Sequence, residues 1–135
     1  MLALGKQQPK EEETSRQLYT GQHTFYGGID LHARTLYLCI MNQAGEIWLH
    51  RHMKAAPEPF LQAITPYRED LVVCVECMFT WYWLADLCAQ QGIPVVLGHA
   101  LSMTAIHGGK AKHDTLDAHK IAVVLRGGML PQADV

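Results

Sequence analysis

The chain has no run of about 18 apolar residues, so nothing in it reads as a membrane span. Its opening, Met1-Leu2-Ala3-Leu4-Gly5-Lys6, turns polar too soon for a signal peptide. A spaced cysteine frame is missing too, because Cys39, Cys74, Cys77 and Cys88 all fall inside apolar stretches. That argues against a disulfide scaffold and for buried free thiols in a reducing, cytoplasmic setting. Charge is sparse, at 18% of residues with a net value of −2. Such a balance does not by itself suggest a nucleic-acid binder.

What is there suits a single globular domain. Of 135 residues, 49% are hydrophobic, enough for a real core. Residues 1–23 are polar, charge-mixed and without apolar period, and are expected to be a flexible tail ahead of a domain over 24–135. Charge is unevenly spread. Residues 24–106 carry seven acids against four bases, whereas residues 107–135 carry four bases against three acids, with His107, His113 and His119 beside them. Lys110, Lys112 and Lys120 therefore form a modest basic strip that would hold phosphates only weakly alone.

The hydrophobic pattern predicts three consecutive strands, through about residue 31, over roughly 35–42, and over 46–52, joined by tight links into an antiparallel meander. Gly27-Gly28 allows close backbone approach or a bulge. A short helix follows from Glu58 to about Tyr67, with Phe60, Leu61 and Ile64 on one face. Residues 71–77 are apolar on both faces, the mark of a central, parallel strand. Thr80 can cap a helix through Gln91, closed by Gly92 and Pro94. Ile93–Leu97 reads as a fifth strand, Ala100–Ile106 as a helical piece, and Asp114 to Arg126 as a last helix. The order βββαβαβα implies an α/β domain with a mixed five-stranded sheet and flanking helices, the plan of RNase H-like folds.

Four acids stand out against this frame. Asp30 lies in a strand, where aspartate is depleted. It is either a strand-end residue bonding a turn or a site residue. Glu76 ends a strand with no other polar residue, where it either meets solvent or meets a ligand. Asp114 and Asp117 are three apart, as neighbours on a helix face are. The plain account makes Asp114 an N-cap and Asp117 a favourable charge at the helix start. Against it, Asp117 falls on the apolar line Asp114, Asp117, Ile121, Val124 that should face the sheet. Four converging carboxylates would repel one another unless hard divalent cations sat between them. All-oxygen ligation suits Mg²⁺ or Mn²⁺, and two such ions roughly 4 Å apart are common machinery for phosphodiester cleavage and transfer.

Other candidates are weaker. Cys74 and Cys77 fit C-x-x-C, but in a strand they point to opposite faces. His32 is either a site contact or a structural histidine. Trp81, Tyr82 and Trp83 either stack bases or pack the core, and Trp81 with Leu84 fits a buried stripe.

Gly28-Ile29-Asp30-Leu31-His32, Val75-Glu76-Cys77 leading to Trp81-Tyr82-Trp83, and Lys112-His113-Asp114-Thr115-Leu116-Asp117-Ala118 resemble, in order and spacing, the N-terminal RuvC-like domain of DEDD-type insertion-sequence transposases. The likeness covers about residues 25–132 and includes His107-Gly108-Gly109-Lys110-Ala111-Lys112. It implies an RNase H-like (RuvC-like) fold with Asp30, Glu76, Asp114 and Asp117 as catalytic ligands for Mg²⁺ or Mn²⁺. It also implies a role in DNA transposition as a homo-oligomer, with an element-encoded guide RNA. Members usually have a C-terminal domain that supplies a serine nucleophile, so a chain ending at Val135 is expected to be a fragment, a truncated copy or an excised domain. His113 stands where Thr or Asn is common. Two rivals remain: a non-catalytic nucleic-acid-binding or assembly module of the same fold, and half of an actin-like or sugar-kinase ATPase. The ATPase needs Gly-rich phosphate loops and a second lobe, neither of which is visible.

Overall fold

The computed structural model describes residues 18–76, 81–98, 117–128 and 130–131. A short strand β1 (Leu18–Tyr19) precedes the meander β2 (Phe25–Leu31), β3 (Thr35–Asn42) and β4 (Ile47–Lys54). Helix α1 (Pro57–Ile64) and a 3-10 turn (Thr65–Asp70) lead to β5 (Leu71–Glu76). Helix α2 (Tyr82–Gln91), β6 (Val95–Gly98), helix α3 (Ala118–Arg126) and β7 (Leu130–Pro131) follow. Five strands form one sheet in the order β4-β3-β2-β5-β6. The meander is antiparallel, while β2–β5 and β5–β6 are parallel. This is the mixed five-stranded sheet expected from the sequence.

Alternation along the strands gives the sheet two cores. On one face Ile29, Leu31, Leu38, Val73 and Val75 meet Phe60 and Ile64 of α1 and Leu84 and Cys88 of α2. On the other, Tyr26, Cys39, Met41, Val72 and Cys74 lie under Ile121, Ala122 and Leu125 of α3. β5 is buried at every position, as a strand covered on both sides must be.

Several boundaries differ from the sequence reading. α1 ends at Ile64 and tightens into the 3-10 turn, since Pro66 lacks the amide hydrogen an α-helix uses. α2 begins at Tyr82, with Trp81 at its N-cap and no side-chain cap bond; Gly92 closes it in the left-handed region, φ 72°. The segment expected to be an unstructured tail contains β1, which pairs with β7. Gly28 serves close approach, not a bulge, because β2 keeps unbroken register with β3. A Cβ at Gly28 would run into the Ala118 carbonyl oxygen and the Ala122 amide nitrogen. The register irregularity falls between β3 and β4, at Ile40/Met41. Residues 1–17, Thr80 and the helical piece expected over 100–106 lie outside the described residues. No helix among the described residues is long and apolar enough to cross a membrane.

Candidate active site

Because β2 and β5 run parallel, their C-terminal ends lie at the same end of the sheet. Their last registered pair is Ile29–Val75, so Asp30 and Glu76 are the next residues on two neighbouring strands. Alternation points both toward the α3 face, Asp30 in line with Tyr26 and Gly28, Glu76 with Val72 and Cys74.

The electrostatics of this pair are unfavourable. Glu76 is only 7% exposed, and burial raises its pKa above the ordinary carboxylate value, with the Asp30 charge adding to the rise. His32 acts in the opposite direction. Its Nε2 lies 3.1 Å from Asp30 Oδ1. The tight link between β2 and β3, closed by the His32 amide donating to the Thr35 carbonyl at 2.9 Å, sets that contact. The Cys74 thiol is raised by burial and then by Glu76. Two carboxylates of like charge, one of them desolvated, favour any cation that can sit between them.

Helix α3 brings its N-terminus to the same end. Ala118 and Ala122 press on Gly28, two residues before Asp30, while Arg126 at the far end donates from Nη1 to the Gln43 carbonyl at 2.9 Å. The helix thus runs against β2, with its positive dipole end near the acids. Asp117 is the N-cap of this helix, and its Oδ1 accepts the Lys120 amide at 2.9 Å. The sequence offered two accounts of Asp117, a favourable charge at the helix start and a place on the apolar stripe; its position at the helix start agrees with the first, and the second fails. It stands exposed, just outside the helix, and the stripe starts at Ala118. Burial, with a smaller contribution from the Asp117 charge, pushes the Cys39 thiol up to about 11.

Asp30 and Glu76 are therefore brought together, and Asp117 is carried to the same end without joining them. Among the described residues, no three His, Cys, Asp or Glu side chains come close enough to hold a metal ion. Asp114, Lys110, Lys112 and Cys77 lie outside the described residues, and Lys120 is exposed in the first turn of α3. Trp81 and Trp83 pack against the core on the α1–α2 face; Tyr82 is exposed and stacks on Trp81, with centroids 4.2 Å apart. Sequence reasoning passed over Tyr37, which stands directly across from Asp30. Its only signal was the tight link that determines the register.

The donor set suits a hard divalent cation. Mg²⁺ is commonly held by one or two carboxylates, with water and substrate phosphate completing the shell. Asp30 and Glu76 meet that need, and the burial of Glu76 gives it a reason to accept a cation.

The family model of DEDD-type IS110 transposases, described as Transposase, matches residues 27–134, and the chain belongs to that family. No curated protein matches the chain. Among solved structures, Thermus thermophilus RuvC aligns with a TM-score of 0.58 at 16% identity, over 81% of this chain and 99% of that one. RuvC from the same organism in complex with a Holliday junction substrate aligns with a TM-score of 0.58 at 13% identity, over 82% and 100%. The fold is RuvC-like.

Proposed function

We propose that this transposase-family domain cleaves and rejoins DNA strands at Asp30 and Glu76, with Mg²⁺ or Mn²⁺ as cofactor. One observation carries the reading. Two carboxylates sit on adjacent parallel strands at the end of a RuvC-like sheet, and one of them is buried and resists ionisation. Such a pair is a liability unless a cation belongs there.

Bound divalent ions would supply positive charge to the scissile phosphate and lower the barrier to in-line attack. Asp30 and Glu76 would hold that charge at one end of the sheet, and His32 keeps Asp30 oriented through its Nε2. The N-terminus of α3 adds a favourable potential for phosphate. Asp117, whose cap uses only Oδ1, and Asp114 are the further ligands in this proposal. Lys110, Lys112 and Lys120 are its contacts to the DNA backbone. An element-encoded guide RNA, self-assembly and a cytoplasmic setting are proposed with it. Branched DNA is the substrate to try first, because the similar Thermus thermophilus RuvC was solved with a Holliday junction.

The engagement of Asp117 as a helix cap favours one second reading, a non-catalytic DNA-binding or assembly module of the same fold. A Mg²⁺ titration of wild type against Asp30→Ala separates the two, read as melting temperature with and without a DNA duplex and as strand cleavage. The catalytic reading expects cation stabilisation and cleavage in wild type and neither in the variant. Salt-sensitive DNA binding without cleavage, indifferent to Mg²⁺ and unaltered by Asp30→Ala, would establish the binding module.

A further inference from the structure

Tyr37 is exposed where a tyrosine is normally buried. It sits on β3, an internal strand, on the face that α3 covers, yet it remains 41% exposed. Among the described residues the reason is the reach of the helix: α3 lies over Gly28, Cys39 and Met41 and does not extend to Tyr37. Strand register then draws a row of side chains across the sheet. Asp30 pairs with Tyr37, and Tyr37 pairs with His52 on β4. The Tyr37 ring stacks on His52, with centroids 4.6 Å apart and planes 28° from parallel; His50 flanks it at 5.6 Å. Lys54 pairs with Thr35 in the next row on the same face, beside Arg34 in the link before β3. On this face β3 and β4 carry no acid, so the strip is complementary to a polyanion.

We propose that Tyr37, backed by His52, is a stacking platform for one base of the DNA strand whose phosphate lies at Asp30 and Glu76. This rests on the reading of that acid pair as the cleavage site. Directly opposed strand residues have Cβ atoms about 5 Å apart, so a strand with a phosphate at the acids carries a neighbouring base over Tyr37. Stacking accepts any base, and Lys54 and Arg34 receive the next phosphates along the backbone. Tyr82, exposed and stacked on Trp81, belongs to α2 on the opposite face of the sheet.

The test uses the full chain and single-stranded oligodeoxynucleotides carrying 2-aminopurine at successive positions, with Ca²⁺ in place of Mg²⁺. Wild type is expected to quench the probe at one position. Tyr37→Ser abolishes that quench and weakens binding roughly tenfold, and Tyr37→Phe restores both. Unchanged thermal melting of Tyr37→Ser shows that folding is not the cause. Equal binding and quenching by wild type and Tyr37→Ser overturns the platform. In that case, loss of cation-dependent binding in Asp30→Asn leaves the acid site standing. Absence of DNA binding by wild type overturns both readings, and quenching seen only with an oligoribonucleotide of the same sequence overturns DNA as the occupant.

Discussion

The parallel pair β2–β5 carries a histidine and an acid at each end, and the two ends are built to opposite effect. At the start of the strands, His23 Nδ1 lies 3.0 Å from Asp70 Oδ1, and Asp70 Oδ2 accepts the Thr24 amide at 2.9 Å and the Thr24 hydroxyl at 3.0 Å. His23 also bonds Tyr19, which ties β1 to this end. Those donors, the His23 bond first, hold the Asp70 carboxyl below its ordinary pKa although it is exposed. At the finish, Asp30 has His32 at 3.1 Å, but its neighbour Glu76 is buried against a like charge and is pushed up. One acid is answered by donors and latches the fold. The other is left buried beside a like charge. Position alone does not make a carboxylate stabilising; the donors around it decide.

The harshest way to break this contrast is Gly28→Ala, which acts on the helix that caps the acid end. The new methyl group meets backbone of α3, which cannot rotate aside as a side chain would. A loss of roughly 3 kcal/mol is expected in urea unfolding, enough to separate α3 from the sheet. Substituting Ala118 in turn would not restore it, since the clash is with main-chain atoms.

Glu76→Gln sharpens the contrast by splitting function from stability. Cleavage is expected to disappear, while the cation-free protein gains stability at pH 7 by thermal or urea unfolding. The sign follows from the raised pKa. A carboxylate that holds its proton more tightly when folded favours the fold below its unfolded pKa and loses that advantage as pH rises through the folded value. The gain of the glutamine variant is therefore present at neutral pH and absent near pH 4. A variant less stable than wild type at pH 7 would mean that Glu76 is answered by donors after all.

Asp70→Asn is the mirror experiment and the smallest effect, because the group is exposed. Its pKa is lowered on folding, so its stabilisation is present above the unfolded carboxylate value and fades as pH falls through the folded one. The variant should melt below wild type at pH 7 and converge with it in acid, while DNA cleavage is retained. An equal deficit at both pH values would assign the role of Asp70 to shape, not charge.

Much of the acid end was legible in the chain. Asp30 and Glu76 are misfits in apolar, strand-forming runs, and such misfits show without any structure because periodicity is local. The meander was legible for the same reason, since tight links leave each strand only its neighbour to pair with. The account of Asp117 as a charge at the helix start agrees with the structure, whereas the stripe account failed because helical spacing was applied to a residue that precedes the helix. There the extended N-cap, φ −80° and ψ 172°, turns its carboxylate back on the Lys120 amide. β1 was invisible, as two residues carry no period and their partner, β7, lies at the far end of the chain.

The sequence by itself determined the five strands of the main sheet, the outline of the helices between them, and which acids stand in the wrong surroundings, because periodicity is a property of short stretches. Only the tertiary structure decided that Asp30 and Glu76 share one end of the sheet, that α3 stops short of Tyr37, and that Asp70 gathers donors where Glu76 is buried beside a like charge. Those outcomes depend on which strand lies beside which, and parallel pairing joins residues that no local pattern connects.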